Sequence, residues 1–330
     1  MKKLVTLLLT LLICSLSFAQ SITVSDRRFI AQKEDSLKLL SRKIINGINP
    51  SDRLLADSVF TRVLMRALKT THSFQYQFDS LETISQVYAP DSTFRIFTWQ
   101  LVINEDVIRQ HGAIQMRTTD GSLKRFALID KSDITVNIKD TVGNNNGWIG
   151  AVYYKIIQKK YNNRDYYTLL GYDEDNIKCN RKIVEVLSFN NNEPVFGGQF
   201  SFENDANSSK KINSRFVMEY KKDAGPRLTY DRDLDMIVVE HLISESGEPN
   251  KRWTLVGDGD YEGFKWINGY WVHVEKIYNY VTPDGQAPLP NPTRDNDGNL
   301  LESKINDNEE QKPVEEKPIK TVKPKPKKKG

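Results

Sequence analysis

Between Ser25 and Asn46, apolar side chains fall at Phe29, Ile30, Leu37, Leu40, Ile44 and Ile45, the three-and-four spacing that lays one stripe along a helix. Ser25 and Asp26 stand where a helix start needs acceptors for its unpaired amides, and Asn49-Pro50 ends the run. Ser51-Asp52 then opens a second stretch, with Leu55, Val59, Val63 and Leu68 on one side. The spacing predicts an antiparallel α-helical hairpin, within a segment 20–73 whose apolar stripes need the following domain to cover them.

After Phe74 the pattern changes to short runs of Tyr, Phe, Ile and Val punctuated by Asn, Asp and Gly, and helical spacing does not return. Within 93–103, Phe97, Trp99, Leu101 and Ile103 share one face of a strand. Residues 148–160 pair with 164–171 through Asn162-Asn163, because Asn tolerates the positive φ of a two-residue turn, and this register sets Lys160 opposite Asp165. Asn268-Gly269 is a second such turn; it pairs Ile267 with Tyr270, Trp266 with Trp271 and Phe264 with His273. The expected class is mainly β: an antiparallel sheet domain over 74–282, as a meander, sandwich or propeller-like array. A weak internal echo, 170–175 against 228–233 and 183–187 against 238–242, fits a duplicated strand-hairpin unit.

The two ends are of other kinds. Lys2 and Lys3 precede the apolar run Leu4 to Ile13, and Ser17 and Ala19 offer small residues for cleavage, so residues 1–19 read as a signal peptide. The run is about half the length that crosses a bilayer, and no transmembrane segment is expected after cleavage. Cys14 follows Ile13 rather than a small residue, which argues against lipidation. From Pro283 onward there is no aromatic residue, while 8 of the 13 prolines lie there, so residues 283–330 are expected to be a disordered tail. Its lysine-rich end, Lys320 to Lys329, is either a solubilising extension, the commoner case, or a dock for an anionic surface. These features predict an exported protein, in the periplasm, on the outer-membrane surface or secreted.

Composition narrows the function little. The chain has 330 residues with 47 Lys and Arg against 43 Asp and Glu, so the near balance of charge makes nucleic acid a poor partner. Two cysteines exclude a disulfide-stapled scaffold, and Cys179 between Lys178 and Asn180 reads as a structural thiol. No nucleophile elbow, zinc-protease helix or phosphate-cradling glycine loop occurs, and no cofactor is indicated. Asp258, Asp260 and Glu262 occupy first, third and fifth positions of a glycine-bearing stretch, as in a calcium loop. Gly269 at the twelfth position removes the bidentate ligand, so a plain turn is the better reading and no metal is expected.

The candidate binding residues lie on the second hairpin. Trp266, Trp271, His273 and Glu275 share a face that, left open, stacks a pyranose on its rings and bonds hydroxyls with His and Glu. Ile267, Tyr270, Val272 and Val274 on the other face read as core. If a second layer covers the tryptophan face, that face is core instead, and burial is the expected fate of large aromatics.

The stretches 89–99, 150–154, 166–173 and 215–220 resemble uncharacterised secreted β-rich proteins of Bacteroidetes-type bacteria, over roughly 75–280. The resemblance implies an exported envelope protein and carries no activity. The expected function is therefore a non-catalytic binding or structural role, with a glycan or an envelope protein as partner. The alternative is a hydrolase of polysaccharide or cell-wall material, whose paired carboxylates meet in space rather than in sequence.

Overall fold

A computed structural model describes residues 21–104, 107–201 and 213–277. The expected signal peptide and tail lie outside the described residues. The chain divides into two units, 1–275 and 276–330, and every helix and strand named below lies in the first.

Helix α1 spans Val24–Asn46 and α2 spans Pro50–Leu68. The cap of α1 is Thr23, two residues before the expected Ser25: its Oγ1 accepts the Asp26 amide at 3.1 Å and donates to the Asp26 carboxylate at 2.7 Å. Pro50 starts α2, where a missing amide proton leaves no gap. In α1 the buried positions are Ile30, Glu34, Leu37, Ser41 and Ile44, a stripe with two polar members. Glu34 is tolerated there because the Tyr76 hydroxyl (2.5 Å) and the Ser80 amide (2.7 Å) both donate to it.

The buried face of α2 is Ala56, Asp57, Phe60, Leu64, Ala67 and Leu68, one residue round from the expected Leu55, Val59 and Val63, and Leu55 is 59% exposed. The reason is polar. Asp57 Oδ1 accepts from Trp99 Nε1 at 2.7 Å and pairs with His111 Nδ1 at 2.9 Å, while Arg53 Nε donates to the Val102 carbonyl at 2.7 Å. These contacts turn α2 so that the Asp57 side meets the sheet.

Three antiparallel meanders follow. The first is β1 (Ser85–Tyr88), β2 (Phe94–Val102), β3 (Ile108–Met116) and β4 (Lys124–Ile129). The second is β6 (Val152–Tyr161), β7 (Arg164–Asp173), β8 (Cys179–Asn190) and β9 (Glu193–Phe196), with β5 (Gly143–Asn144) beside β9 and β11 (Arg215–Lys221) paired to β8. The third is β12 (Leu228–Asp231), β13 (Met236–Ser244), β14 (Leu255–Ile267) and β15 (Tyr270–Val274), with β10 (Phe200–Ser201) parallel to β15. The fold is mainly β, with the helical hairpin at its N-terminal side. The internal echo falls on the β7–β8 and β12–β13 hairpins of two different sheets.

The layers stack face to face. Ile30, Leu37, Phe60 and Leu64 of the helices pack with Phe97, Trp99 and Leu101 of β2. On the other side of the first sheet, Phe94, Ile96 and Ile114 meet Tyr153, Leu169, Ile183 and Leu187. The alternate residues Leu170, Val184 and Val186 face the third sheet, where Ile237, Val239, Phe264 and Trp271 complete a third core. A middle sheet covered on both faces has no polar side, which is why 166–171 and 183–187 read as nearly continuous apolar runs. Cys179 is buried, as expected of a structural thiol. Among the described residues, no helix is long and apolar enough to cross a membrane.

Arg95 and Arg215 are buried with their donors satisfied. Arg95 of β2 donates to Gln115 Oε1 (2.8 Å) and to the carbonyls of Tyr76 (2.6 Å) and Ser73 (3.0 Å), inside a ring of Phe74, Phe78, Tyr88 and Phe97. Arg215 of β11 grips Glu185 of β8 through Nε (3.1 Å) and Nη2 (3.0 Å), and the Tyr153 hydroxyl of β6 donates to the same carboxylate. Both members of the ion pair are fully buried, so removing one would strand the other in apolar surroundings.

Candidate functional site

The β14–β15 hairpin has the expected register. Asn268 (φ 50°) and Gly269 (φ 84°) make its turn, and Ile267 pairs with Tyr270, Trp266 with Trp271, and Phe264 with His273. Its faces are reversed with respect to the expected core. Trp271 and Phe264 have no exposed surface, whereas Ile267 is 44% exposed and Tyr270, Val272 and Val274 are half-buried. The middle sheet covers the tryptophan side, and Trp271 Nε1 donates to Thr168 Oγ1 of β7 at 2.7 Å. A ring without exposed surface has no face for a sugar to stack on. Trp266 is half-buried, edge-on to Trp271 at 5.4 Å between ring centres and 5.8 Å from Tyr166. His273 Nε2 meets Glu262 Oε2 across the hairpin at 2.9 Å, and Glu275 is exposed just beyond the end of β15.

Asp258 and Asp260 lie in a strand, not in a free turn. The β13–β14 ladder runs from Glu240 opposite Tyr261 to Leu242 opposite Gly257, so Asp258-Gly259-Asp260 bulges against the single residue His241. Asp258 Oδ1 accepts the Asp260 amide at 3.0 Å, and Oδ2 meets His241 Nδ1 at 2.7 Å. That hydrogen bond raises the His241 pKa against the opposing effect of burial, and the charges of Asp258, Glu262 and Asp260 add to the rise. Burial works against the charged form of Asp258, yet its hydrogen bonds to His241 and to the Asp260 amide hold its carboxyl below the ordinary value. Among the described residues, no three His, Cys, Asp or Glu side chains gather as metal ligands.

His241 and Glu262 line an open wedge of about 480 Å³ beside β11, with Lys139, Glu219 and Arg252. A carboxylate-held imidazole is half of a general-base arrangement. Among the described residues no hydroxyl or thiol side chain hydrogen-bonds to His241, so no nucleophile is presented to it.

Another concave feature is a groove of about 660 Å³ whose floor is β6. Its lining includes the consecutive residues Lys155, Ile156, Ile157 and Gln158 and then Lys160. Side chains of neighbouring residues point to opposite faces, so a groove that touches both parities is touching the edge of the strand. Among the described residues the edge is unpaired: β6 ends its sheet, and the strand in its ladder is β7 on the other side. Asn162 (φ 48°) and Asn163 (φ 59°) close the β6–β7 turn with Tyr161 opposite Arg164. In a two-residue hairpin the flanking pair exchanges hydrogen bonds. Tyr161, Lys159 and Ile157 therefore bond to β7, and Lys160, Gln158 and Ile156 aim their N–H and C=O groups into the groove.

The flanking sheets supply the walls. Pro90 and Asp91 come from the β1–β2 turn, and Tyr230 and Arg232 from β12 and the turn after it. Asp91 is tied down: it accepts Thr93 N (3.1 Å), Thr93 Oγ1 (2.7 Å), the Tyr167 hydroxyl (2.7 Å) and Gln158 Nε2 (3.1 Å). Burial disfavours its charge, but these bonds hold its carboxyl below the ordinary range. Across the groove, Lys155 and Lys159 each sit 5.7 Å from the Tyr230 ring centre, and Lys159 also pairs with Asp235.

Two other outer strands have part of their edge engaged. Along β4, Ile129 donates to the Asn145 carbonyl at 2.8 Å and accepts from Trp148 at 3.1 Å, and the Leu228 carbonyl of β12 accepts the Tyr154 hydroxyl at 3.0 Å. Sequence reasoning found the β6–β7 hairpin and missed its free edge, together with Lys155, Gln158, Tyr230, Arg232 and His241. One signal was present: Lys155, Lys159 and Lys160 in a run of Tyr and Ile, the charge pattern of a strand that has no neighbour on one side. No family model, no curated protein and no solved structure matches the chain.

Proposed function

We propose that this chain is an exported, envelope-associated or secreted binding protein without catalytic activity, and that it holds a protein partner by strand addition to β6. The observation that carries this reading is the open edge Ile156–Gln158–Lys160 on the floor of a walled groove. An exposed strand edge offers a row of donors and acceptors at fixed spacing, so an extended segment gains main-chain hydrogen bonds regardless of its sequence. Residues of the first and third sheets, Pro90 and Asp91 on one side and Tyr230 and Arg232 on the other, wall the edge. Export is supported by the cationic start and apolar run of residues 2–13.

The test is Gln158→Pro in the mature protein. Its N–H faces the groove, so proline removes a partner's hydrogen bond and none from the β7 ladder. Gln158→Ala serves as control for the lost side chain. Envelope proteins retained by the wild-type and Ala forms and lost by the Pro form are the expected result. Identical retention by all three forms contradicts the reading.

A further inference from the structure

We infer that the segment taken by the β6 edge is acidic, an extended peptide with carboxylates at alternate positions on the side that faces Lys155 and Arg232. This rests on the strand-addition reading above and adds the chemistry of the partner.

The pleat sets the geometry. Ile156 and Gln158 turn their side chains toward the first sheet, where Ile156 joins its core and Gln158 bonds Asp91. Lys155, Ile157 and Lys159 turn toward the third sheet, where Ile157 is core and both lysines stand over Tyr230. Residues directly opposite one another on paired strands share a face. Partner residues opposite Ile156, Gln158 and Lys160 therefore meet Pro90 and Asp91, and those opposite Lys155, Ile157 and Lys159 meet the lysines, Tyr230 and Arg232.

Charge accounting separates the two sides. Lys160 pairs with Asp165 at 3.6 Å, and Lys159 with Asp235, which also accepts the Tyr230 hydroxyl. Asp91 keeps its charge but is held by four neutral donors at the first-sheet wall, the opposite side of the groove from Tyr230 and Arg232. Asp231 is engaged by the amides of Asp233 and Leu234. Lys155 and Arg232 remain: neither forms an ion pair among the described residues, and both line the groove. A cation placed beside an open row of backbone donors favours an incoming carboxylate over an incoming ammonium. From Ile156 to Lys160 the edge runs about 13 Å at ~3.3 Å per residue, matching five residues of an added strand. Two of these, opposite Ile157 and Lys159, face Lys155 and Arg232.

Lysines on an edge strand also deter self-pairing. If that is their whole role, no peptide should bind, so the two roles give opposite results. The probes are two fluorescent nine-residue peptides, one alternating Glu and Val and one alternating Lys and Val, each also made with N-methyl groups on alternate amides. They are titrated against the full mature chain by anisotropy. The expected result is saturable binding of the Glu peptide, loss on N-methylation, and little binding of the Lys peptide. Lys155→Glu with Arg232→Glu should weaken the Glu peptide at least about tenfold and improve the Lys peptide. Lys155→Gln, which keeps the stem and removes the charge, gives an intermediate loss and guards against a folding artefact. Equal binding of both peptides, each lost on N-methylation, overturns the acidic preference and leaves strand addition standing. Binding of neither peptide overturns both.

Discussion

Two hairpins of this protein turn on the same chemistry and end differently. Asn162-Asn163 and Asn268-Gly269 each place two residues at positive φ, and each fixes the register that the sequence predicts. Beyond the turn they diverge. Strand β15 has β14 on one side and β10 on the other, and its Trp271 is sealed under the middle sheet. Strand β6 has β7 on one side and a groove on the other. Turn residues thus decide how two strands pair, while the neighbours supplied by the rest of the chain decide which edge is left open. The aromatic hairpin has the side chains of a binding site without the access, and β6 has the access with ordinary side chains.

The largest effect expected from this contrast is at Trp271. Trp271→Ala should cost roughly 3–5 kcal/mol of unfolding free energy, from lost burial and the cavity left behind. Ile267→Ala, on the exposed face of the same hairpin, should cost under about 1 kcal/mol. Denaturant melts that rank the two in the opposite order would return the tryptophans to the surface. Next comes Gly269→Val. A Cβ there would sit 2.4 Å from the Tyr161 ring, at a φ of 84° that a β-branched residue resists, so a loss of about 2 kcal/mol or more is expected in the same melts. That clash also ties the two hairpins together, since Tyr161 is the last residue of β6.

A proline pair sharpens the comparison further. Ile157→Pro removes a ladder hydrogen bond and a core side chain, and should destabilise by about 3 kcal/mol or more. Gln158→Pro, one residue on, should stay within about 1 kcal/mol of wild type, since its amide is outside the ladder. Equal losses at the two positions would mean that the edge is paired.

The smallest effect is electrostatic. His241 has a raised pKa, so the stability it draws from Asp258 is fully present below its unfolded value of about 6.5 and is lost as pH rises through the raised folded value. Asp258 has a lowered pKa, so its share is present above the unfolded value and is lost as pH falls through the lowered one. His241 is half exposed, and solvent screening keeps both contributions small. Asp258→Asn should bring the His241 titration, followed by NMR, back toward its ordinary value. An unchanged midpoint would contradict the pairing.

What the sequence revealed was the local part of the structure. The helical hairpin, the two Asn turns, their registers and the mainly β class all follow from spacing and turn chemistry within a dozen residues. The helix face of α2 was less legible, because Leu55, Val59 and Val63 are as apolar as Phe60 and Leu64, and the choice was made by Asp57 bonding Trp99 and His111 some 40 to 55 residues away. The same holds for Asp258-Gly259-Asp260, whose turn-like composition serves as a bulge only because β13 lies alongside. Arg95, Glu185 and Arg215 look like surface charges in the sequence and are fully buried. Each is satisfied by groups from other elements, which no local pattern announces. The edge of β6 is the extreme case, since it is defined by the lack of a neighbouring strand among the described residues.

Amide hydrogen exchange along β6, measured on the protein alone, tests that edge most directly. Amides bonded into β7 should exchange slowly, and those aimed at the groove should exchange fast. The expected pattern is protection at Ile157 and Lys159, with Ile156, Gln158 and Lys160 unprotected. Uniform protection of all five would mean that something already pairs with the edge, and would contradict a free strand-binding site.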